Sequence, residues 1–385
     1  MIPMAKRIVA WQPVLTDHQS HTLEALGAAM DADVTAIVLD DEDAVRRAQG
    51  WTPAKVCSLA IQRLPQHGWY STVGQILREH GGAIHVFGSP FSAPRMMLAL
   101  ALAIRRKLEV YLISEPYADI AVGYLSDRPS AADLLKARLR PLIYRGYGLA
   151  LSERISGVFA ISPLAVEQYR DIGISADRIF PFGYFVPTPQ FAEIARQPER
   201  NLRLIFVGGL IARKGVAELM AAVRSARAGG AYVTVDFFGA GDAARFGFDD
   251  VAARYGGRLA FGKAATTIAQ YDALVLPSRH DGWGVVVNEA LQAGVPVICS
   301  NRVGASAVVE HWGAGMVYDS ANPFALSETL ALLAREPARL EPMRAAARSV
   351  ARLLTPTIAA EYMRDAVAHA RGLGERPLNP WYATP

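Results

Sequence analysis

Residues 276–297 read LPSRHDGWGVVVNEALQAGVPV, and this stretch indicates the fold class. An apolar run ends at Leu276, and a short loop with Asp281 and two glycines follows. Residues 285–292 have the composition of a helix, which Gly294 ends, and a second apolar run begins after Pro296. This order of strand, loop, helix and strand is typical of a parallel sheet covered by helices.

The same alternation extends in both directions along the chain. Longer helical patterns separate short apolar runs, which fall at residues 7–10, 34–39, 83–87, 110–113, 157–160, 204–207, 233–238, 273–276 and 295–300. We therefore predict an α/β protein with two consecutive, doubly wound, Rossmann-like domains. In such sheets the ligands bind at the carboxyl ends of the strands, so two facing domains would enclose a cleft.

A proline-rich segment divides the two halves. Residues 180–198 contain four prolines and interrupt the alternation, which indicates an interdomain linker. The sequence predicts domains at residues 1–185 and 186–355. A C-terminal helix and tail at residues 356–385 are expected to cross back to the N-terminal domain.

The composition excludes several classes of protein. The chain has 385 residues, of which 51% are hydrophobic, and a net charge of only +4, which gives no argument for nucleic-acid binding. Its two cysteines, Cys57 and Cys299, have no spacing typical of a metal site or disulfide scaffold, which favours a reducing cytoplasm. The longest apolar stretch, residues 96–104, is much shorter than the roughly 20 residues of a membrane span.

A second motif, FVGGLIARKG at residues 206–215, suits a diphosphate. Gly208 and Gly209 allow close approach of the backbone, and a helix N-terminus follows with free N–H groups. Arg213 and Lys214 add positive charge at the same place. An ordinary strand–turn–helix with two solvated bases explains this motif alone equally well.

Asp281 and Glu289 form the third candidate feature. Asp281 is predicted on the loop and Glu289 about one turn into the helix, so both carboxylates could accept hydrogen bonds from sugar hydroxyls in one cleft. Taken alone, an acid near a helix N-terminus and a solvated helix glutamate are the simpler interpretation.

Together these motifs resemble the signature of the retaining glycosyltransferase family 4, which has the GT-B fold. The similarity extends over about residues 201–320. It rests on matches in the same order and spacing, namely Pro277-Ser278, Gly282-Trp283-Gly284, Glu289-Ala290, Gly294-Val-Pro-Val297, Val303-Gly-Ala-Ser306, the 206–215 loop and the glycine turn at 237–242.

The resemblance implies a role for each matching residue in the donor site. Glu289 would bind the ribose, Asp281 the transferred sugar and Lys214 the diphosphate, without a metal ion or other cofactor. The backbone amides of Gly282, Trp283 and Gly284 would contact sugar or phosphate, and the base would lie near Gly262 and Lys263.

Two residues depart from the family pattern. The family usually has glutamate where this chain has Asp281, and often arginine where it has Gly209. Arg213 is a candidate to supply the missing charge. Both differences bear on donor identity more than on the fold.

The N-terminal half offers weaker candidates. Asp17, His18 and Gln19 enter a predicted helix and would contact acceptor or donor sugar, although a capping loop with exposed polar groups is an equal alternative. Glu115 occupies the approximate place of the histidine that many family members have near the reacting carbon. His85 is a second catalytic candidate, although a lone histidine there is more often structural.

Two further features have open interpretations. Asp40-Asp41-Glu42-Asp43 imitates an Asp-x-Asp metal site, but an acidic helix start is the favoured explanation. The basic, leucine-rich stretch from Leu134 to Arg154 fits a solvated helix face and contact with an anionic membrane equally well.

The expected function is therefore transfer of a sugar, with retention, from a UDP- or GDP-sugar to a hydroxyl acceptor. A lipid-linked saccharide or another glycan precursor of a bacterial-type polysaccharide is the favoured acceptor. The expected location is the cytoplasm or the inner face of its membrane. A nucleotide-sugar epimerase of the same architecture and a catalytically silent nucleotide-sugar-binding scaffold remain alternatives.

Overall fold

The computed structural model describes residues 6–39, 59–118, 130–189, 201–249, 251–260 and 262–383. Within these ranges the chain forms two α/β domains, each built on a parallel sheet with helices around it. Asp40 to Asp43 and Cys57 lie outside the described residues.

The N-terminal sheet has seven described strands in the order β3-β2-β1-β4-β5-β6-β7, all parallel. They are β1 (Arg7–Gln12), β2 (Asp33–Val38), β3 (Ala60–Arg63), β4 (Ile84–Gly88), β5 (Glu109–Ser114), β6 (Gly157–Ile161) and β7 (Ile179–Phe182). The described helices are α1 (Asp17–Met30), α2 (Trp69–Glu79), α3 (Pro94–Arg105), α4 (Ala131–Leu151) and α5 (Pro163–Asp171).

The C-terminal sheet has six described strands in the order β10-β9-β8-β11-β12-β13, again parallel. They are β8 (Leu202–Val207), β9 (Val233–Phe238), β10 (Ala253–Tyr255), β11 (Ala273–Leu276), β12 (Val297–Ser300) and β13 (Gly315–Tyr318). Its helices are α6 (Val216–Ala228), α7 (Ala264–Ile268), α8 (Val285–Gln292), α9 (Ser306–Trp312), α10 (Ala325–Arg335) and α11 (Leu340–Ala351), and α12 (Pro356–Ala370) follows.

The apolar runs form buried central strands because helices cover both faces of each sheet. Every residue of β4, β6, β11 and β12 is buried. Such strands have no solvent face, so they are continuously apolar rather than alternating. The two-domain α/β architecture expected from the sequence is confirmed.

The predicted linker begins too early in the sequence. Residues 179–182 form the edge strand β7, which pairs with β6. Pro181 is tolerated there because an edge strand needs no hydrogen bonds on its outer side. The connection between the domains therefore starts after Phe182, and its residues 190–200 lie outside the described part of the chain.

The C-terminal tail packs on the N-terminal domain. Helix α12 lies against α1, and the Arg371 guanidinium donates two hydrogen bonds, of 2.9 and 2.8 Å, to the Glu109 carboxylate at the start of β5. The Tyr382 hydroxyl donates to the Phe182 carbonyl at 2.9 Å, beside the buried Trp381. Of the helices described, none has the length and apolar character needed to cross a membrane.

Candidate functional site

Two glycine turns meet at the carboxyl end of the C-terminal sheet. The Gly208 amide donates to the Phe238 carbonyl at 2.9 Å, and the Leu210 amide donates to the Ala240 carbonyl at 2.7 Å. Gly239 has a φ of +153°, and a Cβ there would collide with the Gly208 carbonyl. The turns after β8 and β9 therefore pack together, and Gly208 and Gly209 border the entrance to α6 without side chains.

Lys214 and Asp281 form an ion pair at the same edge of the sheet. The Lys214 ammonium donates to Asp281 Oδ2, and the Ser278 hydroxyl donates to the same oxygen at 3.4 Å. The side chains are only 16% and 12% exposed, so solvent screens this pair weakly. The structure thus joins the predicted phosphate-binding lysine to the predicted sugar-binding acid.

Arg213 supports this pair from inside the protein. Its side chain is buried, Nη1 donates to the His280 carbonyl at 2.7 Å, and the same nitrogen lies 3.9 Å from Asp281 Oδ1. Burial opposes ionisation of Asp281, but the charges of Lys214 and Arg213 outweigh it and hold the pKa of that carboxyl below its usual value. Arg213 therefore holds the loop in place, which differs from its predicted role as a replacement charge at the phosphate.

The loop that carries Asp281 is anchored to the loop after β12. The Asp281 amide donates to the Arg302 carbonyl, and the Gly304 amide donates to the Asp281 carbonyl, both at 3.0 Å. Gly284 has a φ of +90°, a conformation that favours glycine, and α8 begins directly after it. These contacts fix the position of Asp281 relative to α8 and Glu289.

The Trp283 side chain does not face the cleft. It is 1% exposed, and its indole N–H donates to the Asn288 Oδ1 atom at 2.9 Å. Asn288 Nδ2 donates in turn to the Tyr184 carbonyl at 2.7 Å, in the segment that connects the domains. Only the backbone of Gly282, Trp283 and Gly284 is therefore available for the predicted contacts with sugar or phosphate.

Glu289 is half-buried in α8 and has an altered ionisation. Burial, with a smaller contribution from the negative charge of Asp17 in the other domain, raises the pKa of its carboxyl to about 7. Asp17 is half-buried in the first turn of α1, where its Oδ1 lies 3.7 Å from the His21 ring. The predicted ribose-binding acid thus lies close enough to the N-terminal domain to be influenced by its charge.

Glu115 and Ser162 form the N-terminal side of the cleft. A Cβ at Gly282 would collide with the Glu115 carboxylate, so Glu115, just after β5, lies directly against the Asp281 loop. A Cβ at Gly304 would lie 2.8 Å from Ser162 Cβ. Glu115 and Ser162 of the N-terminal domain therefore lie against the two loops that position Asp281.

Sequence reasoning did not single out Ser162. It stands directly after β6 with a φ of +83°, a strained value for a residue with a side chain. Its buried hydroxyl has no hydrogen-bond partner within the described residues. The sequence signal that could have identified Ser162 is its position directly after an apolar strand and before Pro163 at the start of α5.

His85 lies in the core, which argues against the predicted catalytic role. It is the second residue of β4, so it lies toward the amino end of the strand, and it is fully buried. Trp11 Nε1 donates to His85 Nδ1 at 3.1 Å, and His85 Nε2 lies 3.0 Å from the His80 carbonyl. Burial lowers the pKa of its imidazole to about 4, so it is neutral at physiological pH.

The residues at the start of α1 have local roles. Thr16 caps the helix, and its amide donates to Gln19 Oε1 at 3.1 Å in a reciprocal capping box. For Gln19 the structure therefore agrees with the alternative interpretation of this segment as a helix cap. The His18 ring is buried, with its centroid 4.3 Å from that of Tyr184. Asp17 lies close enough to Glu289, the predicted ribose-binding acid, to influence its ionisation.

Gly262 and Lys263 are exposed, and Lys263 precedes α7. Their predicted place near the nucleotide base stays a prediction. Among the residues described, no three His, Cys, Asp or Glu side chains converge in a way that suits a metal ion.

The C-terminal domain is similar to a known family. Residues 188–350 match the family of glycosyl transferases group 1. The matched segment includes Lys214, Asp281 and Glu289, the three side chains predicted above to contact the diphosphate, the transferred sugar and the ribose. No curated protein matches the chain in sequence.

Solved structures match nearly the whole chain at low sequence identity. Sucrose-phosphate synthase from Thermosynechococcus elongatus superimposes with a TM-score of 0.66 at 16% identity, covering 93% of this chain and 97% of that one. The lipopolysaccharide outer core galactosyltransferase WaaB gives 0.66 at 14%, covering 94% and 99%. Anabaena HepE in complex with UDP-glucose gives 0.63 at 12%, covering 95% and 99%. The protein therefore has the GT-B fold.

Proposed function

We propose that the protein is a retaining glycosyltransferase that uses a UDP- or GDP-sugar as donor. The Lys214–Asp281 ion pair carries this proposal, because it lies beside the glycine turn and the N-terminus of α6, inside the segment that matches group 1 glycosyl transferases. The UDP-glucose complex of a protein with the same fold supports a nucleotide-sugar ligand.

The donor would be held by groups from several strand ends. The diphosphate would lie at the glycine turn and the N-terminus of α6, where backbone N–H groups favour negative charge. Lys214 would neutralise the diphosphate while it remains beside Asp281. Glu289 would accept hydrogen bonds from the ribose hydroxyls, and Asp281 would contact the transferred sugar.

The chemistry would depend on stabilising the leaving group. As the bond from the anomeric carbon to the phosphate oxygen breaks, Lys214 and the α6 N-terminus would stabilise the charge that develops on the diphosphate, without a metal ion. The acceptor hydroxyl would attack from the face that the phosphate leaves, and a phosphate oxygen would take its proton. Glu115 lies against Gly282, where it could position the sugar or the acceptor, and His85 has no role in this scheme.

The proposed acceptor is a lipid-linked saccharide or another glycan precursor of a bacterial-type polysaccharide, used at the cytoplasmic face of a membrane. The GT-B fold of the galactosyltransferase WaaB supports an acceptor of this kind. An acceptor-dependent release of nucleoside diphosphate would distinguish this function from epimerisation and from a silent scaffold.

The donor site is tested by thermal shift with UDP, GDP and their sugars in the presence of a chelator. We expect one nucleoside diphosphate to raise the melting temperature, because a ligand that binds only the folded chain stabilises it. Glu289→Ala and Lys214→Ala should reduce this shift. Lys263→Ala tests the predicted contact with the base, which a reduced shift would support. If both donor-site variants respond like the parent, the site is assigned to the wrong residues.

A further inference from the structure

Helix α4 exposes an unusually apolar face to solvent. Leu135, Leu142 and Leu149 are 59%, 61% and 85% exposed, and Leu139 is also exposed. Successive positions are spaced four, three and seven residues apart, which places them in one stripe along the helix. A contiguous exposed apolar surface often marks a site that contacts a partner or a membrane.

The opposite face of α4 provides the contact with the domain. Tyr144 packs against Tyr117, with ring centroids 4.5 Å apart, and Tyr147 stacks on Phe91 at 4.5 Å. A Cβ at Gly148 would collide with the Ile172 carbonyl, so the helix lies close against the chain behind it. The exposed leucines are therefore not needed to hold α4 in place.

Positive charges border the leucine stripe on both sides. Arg138 and Arg145 flank one side of it, and Lys136 flanks the other. Residues 134–150 contain no aspartate or glutamate. An apolar stripe flanked by cations is complementary to a bilayer with anionic headgroups. It is not complementary to an identical copy of itself, since like charges would meet.

We propose that α4 is an interfacial helix that docks the protein on an anionic lipid bilayer. The leucine stripe (Leu135, Leu139, Leu142 and Leu149) enters the boundary between headgroups and acyl chains, and the flanking cations contact the phosphates. The helix lies along the membrane rather than across it, in agreement with the lack of a described helix suited to spanning.

Docking through α4 also places the cleft at the bilayer. Glu115 is two residues before Tyr117, whose ring packs on Tyr144 of α4 and whose amide donates to Gln168 Oε1 at 2.9 Å. Arg140 of α4 donates to the Ala118 carbonyl. Tyr117 and Ala118 thus hold the chain just after Glu115 against α4, so an acceptor with a lipid anchor would reach Glu115 from the membrane side. This consequence rests on the proposed function, whereas the docking itself does not.

Vesicle flotation of the full chain, without nucleotide, tests the docking. The parent should bind vesicles that contain phosphatidylglycerol much more strongly than vesicles of phosphatidylcholine alone, and less strongly at high salt. Leu135→Gln and Leu142→Gln should each lower the partition coefficient about tenfold. Arg138→Gln and Arg145→Gln should each lower it about fivefold.

Matched controls separate docking from misfolding. Leu378→Gln removes a more exposed leucine (91%) from the C-terminal tail, and Arg352→Gln removes an exposed cation from the C-terminal domain, so both variants should bind vesicles like the parent. The α4 variants should keep the parent's melting temperature and its nucleotide response, because their side chains point away from the core.

Three results would overturn the proposal. The first is a parent that does not bind anionic vesicles at low salt, and the second is a loss with Leu378→Gln as large as with Leu142→Gln. The third is an α4 variant that changes the sedimentation coefficient but leaves vesicle binding intact, which would assign the face to a second copy. A failure of nucleotide binding alone would contradict the proposed function and leave the docking untouched.

Discussion

At the residue scale, the cleft combines acids with different ionisation. Asp281 is held as a carboxylate by Lys214 and Arg213, whereas burial and Asp17 raise the pKa of Glu289 to about 7. The difference arises because two cations outweigh the effect of burial at Asp281, whereas at Glu289 the negative charge of Asp17 adds to the effect of burial. Ligand binding at these residues should therefore depend on pH through Glu289.

We predict that nucleotide affinity rises with pH through the titration of Glu289. Its ionised fraction increases about tenfold between pH 6 and pH 8 for a pKa near 7. If the Glu289 carboxylate accepts hydrogen bonds from the ribose hydroxyls, the dissociation constant of the nucleotide should fall about tenfold over the same pH range. Calorimetric titration of the parent and of Glu289→Gln with nucleotide at several pH values measures this change. The variant is the control, because its affinity still varies with any ionisation of the nucleotide itself.

An independent check of the Glu289 pKa is the stability of the unliganded protein. The folded state holds this proton up to about pH 7, whereas the unfolded state releases it near 4.5. The stabilising contribution is complete below the unfolded pKa and is lost as the pH rises through about 7. Glu289→Gln should therefore gain melting temperature over the parent on the alkaline side, and equal pH profiles would contradict the raised pKa.

We predict that Lys214→Met destabilises the fold by about 3 kcal/mol, because it leaves the buried Asp281 carboxylate without its main partner. Urea unfolding measures this change, and the double variant Lys214→Met/Asp281→Asn should recover a large part of it. The exposed Arg279–Glu218 pair provides the control, since Arg279→Gln should change stability by less than about 1 kcal/mol. If Arg279→Gln lowers the free energy of unfolding as much as Lys214→Met does, the larger contribution predicted for the Lys214–Asp281 pair is contradicted.

At the element scale, helix α8 joins the site to the connection between the domains. The charge of Asp17 in the N-terminal domain influences Glu289, whereas Asn288 binds the Tyr184 carbonyl and Gln292 Nε2 donates to the Val186 carbonyl at 3.0 Å. The chain approaches Trp283 so closely at Gly183 that a Cβ there would lie 2.5 Å from the indole ring. The same short helix therefore carries the acid predicted to bind the donor and fixes the path of the connecting segment.

We predict that Gly183→Ala destabilises the protein by about 1–3 kcal/mol, because the added methyl forces Trp283 or the connecting segment to move. Because Trp283 lies in the Asp281 loop, nucleotide affinity should fall as well. Gly82→Ala is the matched control, since no atom lies within 4 Å of its added Cβ. Urea midpoints and nucleotide titration of both variants test this, and equal behaviour would refute the close packing.

At the scale of the whole molecule, the C-terminal tail links the two domains. Trp381 is fully buried among Phe182, Phe185 and Tyr362, and its indole N–H donates to the Leu353 carbonyl at 2.8 Å. Trp312 of α9 donates to the Trp381 carbonyl at 2.9 Å. Residues from both domains thus meet around one tryptophan near the end of the described chain.

We predict that Trp381→Ala costs about 3–5 kcal/mol, as expected for removing a large buried aromatic side chain. Because the tail couples the domains, thermal unfolding monitored by calorimetry should become broader or resolve into separate transitions. Leu378→Ala, at a 91% exposed position of the same tail, should leave the profile unchanged. A sharp single transition at the parent's temperature in Trp381→Ala would contradict the coupling.

The sequence alone determined the two α/β domains and the chemistry expected at the C-terminal strand ends. Continuous apolar strands and glycine-containing turns are local patterns, so α8 at Val285–Gln292 was predicted with its observed bounds. The GT-B fold was implied by the resemblance of several motifs, in their order and spacing, to one glycosyltransferase family.

Only the tertiary structure decided which polar groups meet. The Lys214–Asp281 pair spans 67 residues of sequence, and the burial of His85, Trp283 and Arg213 depends on neighbours from distant strands. No local pattern distinguishes a histidine in the core from one in a cleft, or an arginine that supports a loop from one that binds phosphate. Partners and burial are set when the sheets and loops pack, and those long-range contacts determine which side chains remain available for chemistry.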